Sequence, residues 1–210
     1  MHFIVRLRKK RSPMSNLKPA VFLDRDGVVN EVVFRNGKPA SPRSLDEFIW
    51  GEGIAEAVKR LKAASFRVFV VTNQPDIARK KLEAKILEQI SETIRQSLPI
   101  DDLLVCPHDD SDQCVCRKPR SGMLISLAAQ WQIDLNRSFI IGDSWKDMTA
   151  GKAAGCQTIL IKRHYNQGTV ADFQAVGVLE ATDMIFNLID KGDNSHELHH
   201  QLFSRSKSNY

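Results

Sequence analysis

The chain has 210 residues, 42% of them hydrophobic and 26% charged, an ordinary balance for one well-buried globular domain. No apolar run approaches the ~20 residues that a membrane-spanning helix needs. The formal charge of +5 arises in the first 13 residues: without Arg6, Arg8, Lys9, Lys10 and Arg11, 25 basic residues face 25 acidic ones, so the body has no net basic charge suited to nucleic acid.

Residues 1–17 read as a basic leader, expected to be disordered or to lie upstream of a true start at Met14. Its only apolar patch is Phe3-Ile4-Val5, too short for the core of a secretory signal. Four cysteines in the whole chain are too few for a disulfide-built scaffold. A cytoplasmic monomer is the expectation.

Ala20–Leu23 is a short apolar strand that ends in Asp24-Arg25-Asp26-Gly27. In 54–64, Ile54, Val58 and Leu61 share one helical face. Arg67–Thr72 is β-branched and aromatic, the composition of a strand. Leu82, Ile86, Ile90 and Ile94 recur every four residues and mark a longer amphipathic helix. A strand over Leu103–Cys106, a helix over 122–131, a strand over Ser138–Gly142, a helix over 146–154 and a strand over Thr158–Ile161 follow. A weak strand near 177–181 and a helix near 183–190 close the domain, which spans 18–191. Residues 192–210 form a polar tail. It contains His196-Glu197-Leu198-His199-His200, a formal H-E-x-x-H, but no amphipathic helix surrounds it and no third ligand is evident.

Strands alternating with helices predict an α/β fold of the Rossmann-like three-layer α/β/α kind, with a mostly parallel central sheet. Such sheets bind ligands beyond the carboxyl ends of their strands. Four residues stand there: Asp24 and Asp26, Thr72, and Asp143, with Asp147 four residues further on. In an extended segment residues i and i+2 point the same way, and Gly27 lets the chain turn sharply. Carboxylates crowded in this manner repel unless a cation lies between them or one is protonated. Mg²⁺, which takes one or two carboxylates and leaves room for phosphate oxygens, meets that need.

Cys106-x-His108 and Cys114-x-Cys116 bracket a short spacer, and Arg117-Lys118-Pro119 follows at once. Three thiolates and an imidazole make a closed tetrahedral set of the structural zinc type, with no position open for water. A redox pair would more naturally use C-x-x-C, and a disulfide does not suit a reducing compartment. Cys156 reads as a small buried apolar residue.

A strand-end D-x-D-G, a strand-end Thr, a Lys before Pro and a strand-end G-D with a later Asp occur here in that order. Over residues 19–162 the chain resembles the haloacid dehalogenase-like phosphatase superfamily. The resemblance implies Asp24 as nucleophile and Asp26 as general acid/base, whose backbone carbonyl also binds Mg²⁺. It implies Thr72 and Lys118 as phosphoryl-binding groups, Asp24 and Asp143 as Mg²⁺ ligands, and Asp147 as a group that orients Lys118 or a metal-bound water. Asp24 to Thr72 is 48 residues and Thr72 to Lys118 is 46. Neither interval has room for a folded cap domain, so an open site covered only by loops is expected.

The cysteine loop with R-K-P is similar to the capless, zinc-bearing branch, which contains D-glycero-D-manno-heptose 1,7-bisphosphate phosphatases and histidinol-phosphate phosphatases. "TNQPDIAR" and "RKPRSGMLI" lean toward the heptose group, which implies a small phosphorylated sugar as substrate, with Asn73, Arg79 and Arg117 as contacts. A histidinol-phosphate phosphatase and a non-catalytic zinc-bearing sugar-phosphate binder remain alternatives. Pro75, Asp76 and Lys80 depart from the heptose pattern, which has a small residue and two glycines there. These departures imply a reshaped loop and an extra negative charge near the substrate.

Overall fold

The structure, a computed structural model, describes residues 17–190. Most of the leader and all of the tail with its H-E-x-x-H lie outside them. The described chain forms β1 (Ala20–Leu23), β2 (Val33–Arg35), β3 (Lys38–Ala40), α1 (Ile54–Ala63), β4 (Arg67–Asn73), α2 (Ala84–Ser97), β5 (Asp102–Cys106), α3 (Gly122–Trp131), β6 (Phe139–Gly142), α4 (Trp145–Ala154), β7 (Gln157–Ile161), β8 (Phe173–Ala175) and α5 over 178–190.

Six strands make one sheet in the order β5-β4-β1-β6-β7-β8, and every neighbouring pair is parallel. A sheet covered on both faces needs strands that are apolar throughout. All four residues of β1 and of β6 are buried. Val21 and Leu23 face the core under α1, α2 and α5, built from Val58, Leu61, Ile90, Ile94 and Ile185. Ala20 and Phe22 face the opposite core with Leu124 and Leu127 of α3. Cys156 lies in that second core, 5% exposed, and burial pushes its thiol up to about 12.

Three expectations need correction. The weak strand near 177–181 is the start of α5; the eighth strand is Phe173–Ala175, paired with β7. Val178, Ala181 and Ile185 are buried at helical spacing, and a short apolar run cannot by itself separate a strand from a helix start. The second amphipathic helix begins at Ala84, and its buried face is Leu87, Ile90, Ser91 and Ile94; Leu82 is buried just before it. The site's cover is also more than loops. Antiparallel β2 and β3 form a hairpin whose turn, Asn36-Gly37, has φ of 51° and 72°, the left-handed pair that a two-residue hairpin turn requires.

Candidate active site

Strand β1 lies between β4 and β6, and register aligns their ends: Leu23 pairs with Val70 and Ile141. The residues that follow are therefore neighbours. Asp24 continues the ladder, its N–H donating to Ile141 O at 2.9 Å. Lys118 reaches in from the loop after the cysteines, 2% exposed. Its ammonium lies 2.7 Å from Asp24 Oδ1 and 2.6 Å from Asp147 Oδ1, and it donates to Val71 O at 2.8 Å. Burial opposes its charge, but Asp147 and Asp24 outweigh that and hold its pKa above the ordinary lysine value.

Asp147 is fully buried. Ser144, at the N-terminus of α4, donates to its Oδ2 from backbone N–H at 3.1 Å and from hydroxyl at 2.5 Å. This capping arrangement leaves Oδ1 for Lys118. One oxygen each of Asp24, Asp143 and Asp147 lie within 4.8 Å of one another. Burial raises the Asp24 carboxyl well above the carboxylate range, and Asp147 adds to this against the pull of Lys118. Burial and the Asp147 charge likewise push Asp143 up to about 7, although Tyr165 donates a hydrogen bond to it. Crowded, underneutralised carboxylates of this kind suit a hard divalent cation. Two glycines make the crowding feasible. A Cβ on Gly27, whose φ is +87°, would stand 2.0 Å from Asp143 Oδ2, and one on Gly142 would stand 2.4 Å from Asp147 Cβ.

Asp26 has a different environment. Its Oδ1 accepts from Arg25 Nε at 3.0 Å and Nη2 at 2.9 Å and from Asn30 Nδ2 at 3.0 Å. Its Oδ2 accepts from Ser41 Oγ at 2.7 Å and Gln74 Nε2 at 2.8 Å. Burial alone would raise its pKa, but Arg25 and the bonds from Ser41 and Asn30 outweigh it and lower it. Thr72 stands 1% exposed at the end of β4, its Oγ1 accepting from Gln74 Nε2 at 2.9 Å.

These groups floor a cavity of about 610 Å³. The hairpin contributes Arg35 and Lys38, α4 contributes Trp145 and Lys146, and the 163–169 loop contributes Tyr165. Phe34 of the hairpin stacks on His164 with ring centroids 5.3 Å apart and meets Tyr165 edge-on at 5.8 Å. Asn73, Arg79 and Arg117 all line the cavity, but each has protein partners. The Asn73 amide donates to Lys118 O at 2.9 Å and accepts from Lys118 N at 3.0 Å, so it braces the lysine's backbone. Arg79 holds Asp109 through two bonds of 2.6 Å. Arg117 donates to Asp110 at 2.7 Å and to His108 O at 3.2 Å. The extra negative charge expected from Asp76 is neutralised: Arg43 lies 2.7 Å from its Oδ2. Lys80, in place of a glycine, keeps a glycine-like φ of 55°.

The cysteine loop converges as its spacing suggests. Cys106, His108, Cys114 and Cys116 place their ligand atoms within 4.8 Å of one another. The sulfur atoms are 3.2 to 3.6 Å apart, and His108 Nδ1 is 3.3 Å from Cys116 Sγ. No disulfide links them. Zinc–sulfur bonds of about 2.3 Å in a tetrahedron imply sulfur separations of roughly 3.7 Å, so the set fits zinc after a small expansion.

Residues 115–180 match the HAD-hydrolase-like family model. The D-glycero-β-D-manno-heptose-1,7-bisphosphate 7-phosphatase of Rhodopseudomonas palustris is 40% identical over 153 residues, covering 66% of this chain and 80% of that one. The chain belongs to the heptose bisphosphate phosphatase family of HAD-like hydrolases. Its Escherichia coli K12 relative in that family is 34% identical over 162 residues, covering 71% of this chain and 82% of the relative. The Bordetella bronchiseptica heptose bisphosphate phosphatase structure, complexed with magnesium and phosphate, superposes with a TM-score of 0.71 at 28% identity, covering 80% of this chain and 98% of that one. A HAD-like phosphatase from Mesorhizobium loti gives 0.65 at 28% identity, covering 82% and 88%. Members of this heptose phosphatase family are phosphomonoester hydrolases, and no helix among the described residues of this one is long and apolar enough to cross a membrane.

Sequence reasoning did not single out Arg25, Ser41 or Gln74, the donors around Asp26, nor Tyr165 beside Asp143. Arg25 and Gln74 flank the motif residues and were within reach of a spacing argument. Ser41 and Tyr165 are brought in by tertiary structure, and no local pattern marks them.

Proposed function

We propose that the chain is a Mg²⁺-dependent phosphatase that removes the C7 phosphate of D-glycero-D-manno-heptose 1,7-bisphosphate. The observation that carries this is Lys118 held between Asp24 and Asp147 beside Asp143: a nucleophile, its fixed countercharge and a cation-binding carboxylate at one strand-end rim. Family membership supplies the substrate.

Asp24, with its backbone fixed by Ile141, attacks phosphorus, and the bond from phosphorus to the sugar oxygen breaks. Asp26 gives its proton to the leaving alkoxide. It then takes a proton from the water that attacks the aspartyl-phosphate and restores Asp24. Its donor-rich setting favours the carboxylate needed in the second half-reaction; an arriving phosphate dianion favours the protonated form needed in the first. Thr72 and Lys118 hold phosphoryl oxygens. Asp24, Asp143 and the Asp26 carbonyl would hold Mg²⁺, which supplies charge neutralisation on the phosphoryl group when bound. Cys106, His108, Cys114 and Cys116 would hold a structural zinc, and Asn73, Arg79 and Arg117 would frame the sugar.

The test is phosphate release from both anomers of heptose 1,7-bisphosphate, histidinol phosphate and other sugar bisphosphates, with Mg²⁺. Heptose bisphosphate should give the highest kcat/KM, and Asp24→Asn should abolish turnover with the fold intact. Absence of release from every compound would refute the enzyme reading, and preference for histidinol phosphate would refute the substrate.

A further inference from the structure

Gln74 follows β4 directly and is fully buried. Its backbone N–H donates to the carbonyl of Cys106 at 2.7 Å, which ties it to the start of the cysteine loop. Its side-chain nitrogen has two hydrogens, and each has a partner at the reaction centre: Asp26 Oδ2 at 2.8 Å and Thr72 Oγ1 at 2.9 Å. An amide nitrogen donates and does not accept. The reversed amide would set its oxygen against the Asp26 carboxylate, and this repulsion selects the observed orientation even though it leaves the Gln74 amide oxygen without a partner. A lone pair of Thr72 Oγ1 is thereby engaged, and the hydroxyl hydrogen must point elsewhere. Both Thr72 and Asp26 line the cavity.

We propose that Gln74 is a positioning residue that assigns both neighbours their hydrogen-bonding roles: Thr72 as a donor toward the phosphoryl oxygens, and Asp26 as the carboxyl group held beside the leaving oxygen. Gln74 does this without touching substrate. The proposal rests on the reading of Asp26 as proton donor to the leaving group.

The distinguishing readout is the leaving group. An alkoxide needs a proton as it departs, whereas 4-nitrophenolate does not. Single-turnover rates with enzyme in excess should be compared for heptose 1,7-bisphosphate and 4-nitrophenyl phosphate. Fructose 1,6-bisphosphate serves as the alkyl ester if the heptose compound is inert. These rate constants report the competent molecules even if part of a preparation is misfolded. In Gln74→Met, which keeps length and volume, the alkyl-ester rate should fall by about tenfold to a hundredfold and the ratio of alkyl to aryl rates by at least about tenfold, within the range assigned to general acid catalysis. Gln74→Glu, which sets a like charge beside Asp26, should lower the ratio further. Equal loss on both esters, or no loss, in both variants would overturn the proposal. A wild-type enzyme inert toward heptose bisphosphate but active on the other esters would overturn only the substrate assignment.

Discussion

At Gly27 the lack of a Cβ leaves the space that the Asp143 carboxylate occupies beside Asp24 and Asp147. Any side chain there would enter the space of the Asp143 carboxylate, and a φ of +87° adds strain of about 1–2 kcal/mol for a residue with a Cβ. Gly27→Ala should therefore displace Asp143. The expected outcome is a loss of at least about tenfold in kcat together with a higher Mg²⁺ concentration for half-maximal activity, read from a metal titration of initial rates. An unchanged titration would show that Asp143 does not depend on that contact. The D-x-D-G spacing made this glycine legible as a turn; its collision partner comes from 116 residues away in the chain and is visible only after β1 and β6 pair. The surroundings of Asp26 were hidden for the same reason, since Ser41 and Gln74 reach it from separate segments.

The elements divide by how local their causes are. β1, β4 and β6 were legible because burial on both faces demands uninterrupted apolar runs. The β2–β3 hairpin was not, since three-residue strands that are half-buried or exposed, one with Pro39 inside it, lack alternation; Asn36-Gly37 was the signal that could have found it. In the segment after β4, Pro75, Asp76 and Lys80 suggested a different loop, yet Arg43 pairs with Asp76 and Lys80 takes the left-handed backbone. A lysine there carries a strain of about 1–2 kcal/mol that glycine relieves, less roughly 0.5–1 kcal/mol for the greater freedom of an unfolded glycine. Lys80→Gly should raise stability by about 0.5–1 kcal/mol with kcat/KM unchanged, checked by thermal unfolding. A lower melting temperature would mean that the lysine side chain makes a stabilising contribution larger than its backbone strain.

For the molecule as a whole, the cysteine set and the floor of the candidate site are joined by hydrogen bonds. Lys118 is two residues from Cys116, Gln74 bonds the carbonyl of Cys106, and Arg117 bonds the carbonyl of His108. Asn73 braces Lys118 on a separate path. Protein prepared without chelator should carry about one zinc per chain. Removing it while Mg²⁺ is kept saturating should lower kcat by about tenfold to a hundredfold, the usual scale for lost outer support of a site, and not abolish it, because the Asn73 brace remains. Metal analysis paired with rates before and after chelation and zinc return measures this. Full activity in zinc-free protein would break the link.

The parallel sheet also has a temporal side. β1 is one of its two central strands, yet of the six it is the first to be translated, and its neighbour β6 begins well over a hundred residues later; the bond from Ala20 N–H to Ser138 Oγ spans 118 positions. At about 5–20 residues per second, synthesis of that interval takes roughly ten seconds. For the first part of that time Val21, Phe22 and Leu23 have no strand partner, and after β4 has been made they have one on one side only. Asp24, translated first among the residues proposed to carry the chemistry, gains its full surroundings only when Asp143 and Asp147 have followed.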